Sequence, residues 1–591
     1  MNALVLILAA TLAGTAEIEK AAVLALAPDA AVDVRAVADG EWDSPATWGG
    51  VMPKDGDDVL IPAGRIVLID SLLEARLNTV RVDGVLEFAQ TEQSQLLVDT
   101  LVVTADGKLE LGHVDSPVTG DATIRFIDDG PLSSGLSRGL VSVGMVSIVG
   151  AEKPFTGGWA YEVQNGYVPT DDLTRTITFS SESTEVGRRG HVMLMHHGDY
   201  LVKWAAFHDL GRTDKSTPIS SANLRGRYAL HFHRCGFNKA IQCAGVVVKG
   251  TVGWGLVNHS SDVAASLCVV YDSFGACFVT EAGDERGSFD NCLAVRANGS
   301  GQGHMSRNSI SDFGHSGHGF WLQSNQVAVA DCEAVDCGSF AYFVFGFPFV
   351  EPDTGVRPIA NGEFRTLAAF TRNKAHHANG SFWLEGAQND TAGTAEACEA
   401  TDCVNGVVIR RAHVDVVGGK FVGRGLNNGS TGISFIHGYR GRGNVTGAYI
   451  EGFNKGYAPS SIGTNFIRDC TFSNNREADV AIHANGNANA DDNQQITNNL
   501  FGVGSRIEIT TRPNNQGSLL HQRKWNFFLD GKQIYGPFQH PDFTPPYKNA
   551  GKEAKYFGKT NQQIYDEFGE KPLGDLIPAG AVNKGGYWVQ P

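Results

Sequence analysis

The chain has 591 residues, with 48 Lys plus Arg against 64 Asp plus Glu and a formal net charge of -16. That balance excludes nucleic acid and an anionic membrane as default partners, and admits a polyanionic substrate only where basic side chains gather locally. Glycine at 71, proline at only 21 and charged residues at 19 % exclude collagen, coiled coil and disorder, and favour many short strands joined by tight turns.

Residues 1–16, MNALVLILAATLAGTA, form an apolar run of signal-peptide length ending in small residues, although no Lys or Arg precedes it. The segment is expected to direct secretion to the extracellular space; the alternative is a short hydrophobic cap or a non-secreted start. No other run approaches the ~20 apolar residues that cross a bilayer, so no transmembrane span is expected in the mature body. From residue 34 to 130, alternating apolar runs such as VLIPAGRIVLID and LNTVRVDGVLEF are separated by Asp-Gly turns and read as a compact β unit. A glycine-rich connecting β segment over 131–190 follows. Residues 506–591 read as a C-terminal extension.

Between them, over 191–505, lies a repeat. CEAVDCGSFAYFVF at Cys332 recurs as CEATDCVNGVVIR at Cys398, and the segments at Cys268 and Cys470 fit the same frame. Strand ends fall at His233, His259, Glu281, Gln323, Phe345, Glu385, Arg410, Ile436 and His483, most of them 22 to 26 residues apart; the two spacings near 40 read as one coil plus an inserted loop, and the last, of 47, as about two coils. Such a period without helical patterning predicts a parallel β-helix, whose coils stack about 4.8 Å apart and align equal registers in columns. Side chains two apart share a face. Leu230, Phe232, Leu256, Phe278, Phe320, Leu322, Phe382, Leu384, Val407, Ile409 and Phe435 should therefore line the core. His231, His233, His259, Glu281, Trp321, Gln323, Trp383, Glu385 and Arg410 should face outward. The ten cysteines, all between Cys235 and Cys470, read as core positions rather than as a disulfide framework; this includes the CxxxxC pairs Cys332/Cys337 and Cys398/Cys403.

On the outward column, His233, His259 and Glu281 fall on consecutive coils, where imidazoles and a carboxylate can share a proton or a cation. Glu281, Glu385 and Asp284 of the TEAGDERG turn are the candidate acids and bases, because glycosidic bonds are commonly cleaved between two carboxylates. His231, His233, His259 and Glu281 are the candidate ligands of a divalent metal, calcium or a transition metal, and the nitrogen-rich set suits the latter better. Trp321 and Trp383 offer flat faces to sugar rings, with Gln323 and Arg410 as polar partners; the alternative is burial of the tryptophans under inserted loops at residues 284–318 and 347–374. The pairs His196/His197 and His376/His377 carry no register argument and read as structural.

Residues 41–125, with EWDSPATWGG, VMPKDGDDVLIPAG and VDGVLEF, resemble the G8 domain. Residues 187–290, with RRGHVML, GRYALHFH, LVNH and CFVTEAGDERGSFDNC, resemble the family of cell-migration-inducing and transmembrane cell-surface hyaluronidases, and more loosely fibrocystin. FWLQSN, RNKAH and the strand ends at Glu385 and Arg410 extend the likeness to about residue 440. The resemblance implies an all-β chain, a G8 domain over 34–130 followed by a right-handed, pectate-lyase-like parallel β-helix, and depolymerisation of hyaluronan. It places His231, His233, His259, Glu281, Asp284, Glu385 and Arg410 at family positions, whereas the part past residue 500 looks like a bacterial extension. The expected function is a secreted, endo-acting and hydrolytic enzyme on hyaluronan or a related uronic-acid glycan. The alternatives are a β-elimination lyase on the same site and a non-catalytic glycan-binding or adhesion protein.

Overall fold

A computed structural model describes residues 14–304, 306–307, 312–346, 365–386, 391–425, 429–436, 443–459, 465–484 and 493–501, and beyond these only strand segments at 507–511, 526–529, 532–535, 582–583 and 588–589. The chain forms two compact units. One runs to Ala341; the other takes Tyr342–Gly346 and the chain from Phe364 onward.

In the first unit, Asp58–Ile61, Leu72–Val82, Ser94–Val103, Gly139–Ser142, His191–Met195, Leu230–Ala244 and Leu256–Ser266 pair in succession, and every pairing is parallel. Two further parallel ladders run beside this one, for example through Lys108–Leu111 and Met145–Val149 and through Ala122–Phe126 and Ile177–Ser181. This is a parallel β-helix. The pairing crosses residues 130 and 190 without interruption, so the Asp-Gly-rich segment read as a compact unit is itself made of coils. The hairpin Trp159–Glu162 with Gly166–Pro169 is an antiparallel excursion from the ladders.

The register explains the core. Val80, Leu101, Leu140 and Val192 stack in one column, which continues through Leu230, Leu256, Phe278 and Phe320, all fully buried. Like side chains one coil apart meet face to face: the rings of Phe278 and Phe320 lie 4.7 Å apart and those of Phe179 and Phe207 5.1 Å apart, each at 9°. All eleven positions expected to face inward are buried. Where the ladder turns a corner the backbone enters the left-handed region at the same place on three coils, at His196, Arg234 and Ser260, with φ of 53°, 52° and 46°. A chain that bends there projects the side chains of the corner toward one spot.

The ten cysteines are free, nine of them buried and Cys235 partly so. In the second unit, Lys374–Glu385, Asn405–Arg410, Thr431–Ile436 and Lys455–Pro459 form a parallel ladder of the same kind. The strand ends expected at Glu385, Arg410 and Ile436 are the observed ones. Among the described residues no helix is long and apolar enough to cross a membrane. The apolar run expected as a signal peptide lies largely outside the described residues, as does most of the inserted loop at 347–374. Of the expected extension over 506–591, only the strand segments are described.

Candidate active site: a histidine–glutamate cavity

Met193 pairs with His231, and Met195 with His233, which pairs with His259 one coil on; Glu281 follows the next strand and donates its backbone N–H to the Asn258 carbonyl at 3.0 Å. The column thus changes from apolar to ionisable over two coils. A cavity of about 210 Å³ opens there, lined by Met193, Met195, Arg225, His231, His233, His259, Glu281 and, from the N-terminal segment, Glu19.

The ligand atoms of His231, His233 and His259 lie within 4.8 Å of one another. Glu281 Oε2 sits 3.5 Å from His231 Nε2 and 3.4 Å from His259 Nδ1, while Arg225 holds Glu281 Oε1 at 3.1 Å. His231 Nδ1 lies 3.0 Å from the Gly226 carbonyl. That contact fixes the tautomer with the proton on Nδ1, leaving Nε2 as an acceptor turned toward Glu281. Among the described residues neither His231 Nε2 nor Glu281 Oε2 makes a hydrogen bond, although both are buried. Buried polar atoms without partners are costly, and their convergence on one point fits a cation between them.

The electrostatics agree with that fit. Burial pushes His231 well below its ordinary pKa, helped by His233, and lowers His233 to about 4, helped by His259, so that both rings are neutral near pH 7. Burial alone would raise Glu281, but His259, Arg225 and the other two imidazoles bring it down to about 2 and keep it ionised. A histidine-rich set of this kind suits a transition metal such as zinc rather than calcium.

The neighbouring turn is structural. Backbone N–H groups of Ser260, Glu281, Ala282 and Gly283 all point at the Glu285 carboxylate, which clamps the turn that presents Glu281. Asp284 is half-buried and accepts a hydrogen bond from Ser260 Oγ at 3.0 Å; it does not line the cavity.

Trp321 and Gln323 are corrected. Both are fully buried, with Trp321 stacked 5.3 Å from Phe313 and donating Nε1–H to Gln323 Oε1 at 3.1 Å. Strand parity turns them outward as expected, but the loop after residue 298 covers them, so neither presents a face to a sugar. Trp383 is also covered, at 8 % exposure. In the second unit it lies parallel to Phe343 at 5.5 Å and donates Nε1–H to Glu385 Oε2 at 2.7 Å. Arg410 lies 5.9 Å from the Trp383 ring and 3.5 Å from Glu385 Oε1, with Arg411 4.0 Å from the same oxygen. Burial raises the Glu385 pKa, an effect opposed by Trp383, Arg410 and Arg411.

Sequence reasoning missed three residues at the cavity. Arg225 comes from a loop with no repeat pattern. His196, set aside as structural, occupies the corner after Met195, and its Nε2 lies 2.6 Å from Glu19 Oε2; pairing Met195 with His233 would have placed it. Glu19 lay hidden in the continuation of an apolar leader.

The fold and site together describe a parallel β-helix protein with a buried, metal-compatible histidine–carboxylate cluster. Residues 47–157 match the family model of the G8 domain, so the chain carries a G8 domain, and its strands are early coils of the helix. No curated protein matches. Among solved structures, the Dettilon tailspike protein aligns at 10 % identity and a TM-score of 0.26, over 77 % of this chain; the chain spans 62 % of that protein's length.

Proposed function

We propose that the cavity is the active site of an enzyme that cleaves glycosidic bonds within an acidic polysaccharide, hyaluronan or a related uronic-acid polymer, outside the cell and by hydrolysis. The observation that carries this reading is the convergence of three imidazoles and an ionised Glu281 on one cavity, where His231 Nε2 and Glu281 Oε2 are buried without a hydrogen bond. A binding protein needs no such cluster. His231, His233 and His259 would hold a divalent transition metal, which would supply Lewis acidity beside Glu281. Arg225 keeps Glu281 ionised and oriented, and Glu281, being a carboxylate at neutral pH, accepts a proton rather than donating one. Glu385, bonded to Trp383 and facing two arginines, takes no part in bond cleavage in this reading. Asp284 orients the corner at Ser260, and Arg410 offers the polymer a further carboxylate partner.

One observation favours the second reading, β-elimination. Apart from Glu19, Glu281 is the only carboxylate among the residues lining the cavity, whereas hydrolysis commonly uses two. Elimination needs only a base and a cation beside the uronate. The test is incubation with a panel of glycosaminoglycans and bacterial uronic-acid polymers, with and without chelator, following product mass and absorbance near ~235 nm. Saturated, chelator-sensitive fragments are the expected result, and unsaturated fragments would establish elimination. The absence of fragments from any polymer, with folded and metal-replete protein, would overturn both in favour of a binding protein.

A further inference from the structure

Residues 14–24 form a helix with its less exposed positions at Thr15, Ala16, Glu19, Lys20 and Val23, a helical spacing that continues to Leu26 and Ala27 beyond it. Val23 and Ala27 pack on Val102, Val141, Val143, Met193 and Met195, the apolar outward face of the coils before the histidines. From that seat Glu19 reaches the cavity, and both of its oxygens are held. Oε2 meets His196 Nε2 at 2.6 Å, while Oε1 meets His233 Nε2 at 3.2 Å and the Arg234 guanidinium.

We propose that His196, His233 and Arg234 form a carboxylate subsite for an acidic sugar unit of the glycan, and that the chain's own Glu19 fills it as an internal stand-in; this rests on reading the cavity as a glycan site. Two imidazoles and a guanidinium set around one planar anion recognise charge and shape together, and a uronate carboxylate is the same group on a sugar ring. The left-handed corners at His196 and Arg234, one coil apart, aim both side chains at that anion. The outer face of the Glu19 helix is open to solvent, with Ile18 and Leu24 72 % and 41 % exposed. A tethered carboxylate competes with free ligand through its local concentration, so the N-terminal segment restrains the site until a polyanion displaces it.

The test uses the full chain with Glu19→Gln, which keeps the shape and removes the charge, and calorimetric titration with hyaluronan hexasaccharide, hexagalacturonate and neutral maltohexaose. At least one acidic hexamer should bind about tenfold more tightly to the Glu19→Gln chain than to the parent, with maltohexaose unchanged. Adding Arg234→Gln should abolish the gain, with thermal melting reporting that both variants fold. Unchanged acidic binding, or an equal gain for maltohexaose, would overturn the subsite while leaving the glycan reading intact. Tight acidic binding without cleavage would overturn the catalytic reading and leave the subsite standing. No binding of any hexamer by either chain would overturn both.

Discussion

The two outward groups, His231–His233–His259–Glu281 in the first unit and Trp383–Glu385–Arg410 in the second, are built from the same register of the same repeat and differ in how their carboxylates are satisfied. Glu385 Oε2 accepts a hydrogen bond from Trp383, and its other oxygen faces two arginines. Glu281 is held on one oxygen by Arg225, while the other is buried among imidazoles without a hydrogen bond. A closed network stiffens a fold; an open one that stays buried stores electrostatic free energy a ligand can claim. The position of a carboxylate in the repeat therefore does not assign its role, and the completeness of its bonding does.

The largest effect that separates the two groups concerns activity. Asn in place of His231 or His259 should lower cleavage of the responsive polymer by about 10²–10⁴-fold, the range for a lost acid–base or metal-holding group. Arg410→Gln should stay within about threefold, since it removes one substrate contact and no reacting group. Reducing-end release measures both, and an equal loss in the two would erase the distinction.

A second contrast lies in pH. Lys215 is fully buried, 3.1 Å from the Phe313 carbonyl and over the Trp254 ring at 4.1 Å, and burial lowers it to about 8, opposed by Asp312. Between about pH 8 and 10.5 the unfolded chain binds the proton and the folded one does not, so this group makes stability rise with pH there, by about 3 kcal/mol at most. Lys215→Met should flatten that limb in thermal melts at graded pH; an unchanged limb would show that Lys215 keeps its charge. A smaller effect tests the closed network. Trp383→Phe removes the donor to buried Glu385 and should cost about 1–3 kcal/mol in urea unfolding with activity retained. Smaller still is Trp321→Phe, about 1 kcal/mol from lost packing, with an unchanged KM because the ring meets no sugar; a raised KM would restore it as a sugar platform.

Much of this arrangement was legible in the sequence. Most coils share one period and strand parity is strict, so the inward positions between Leu230 and Phe435 and the meeting of His233, His259 and Glu281 follow from spacing alone. Parity states which way a side chain points and not what lies over it, hence the misreading of Trp321 and Gln323, covered by a loop outside the repeat. Glu19 and Arg225 reach the cavity from non-repeating segments, and such long-range contacts leave no mark on local periodicity. His196 lies at a corner, one residue beyond the strand pattern that located its neighbours.

The central claim is that Glu281 and not Glu385 does the chemistry. Initial cleavage rates of the parent, Glu281→Gln and Glu385→Gln chains, on the same polymer, test it directly. The account predicts a loss of about 10²-fold or more for Glu281→Gln and a rate within about threefold of the parent for Glu385→Gln. A Glu281→Gln chain that cleaves at the parental rate, or a Glu385→Gln chain that is folded and inactive, would contradict it.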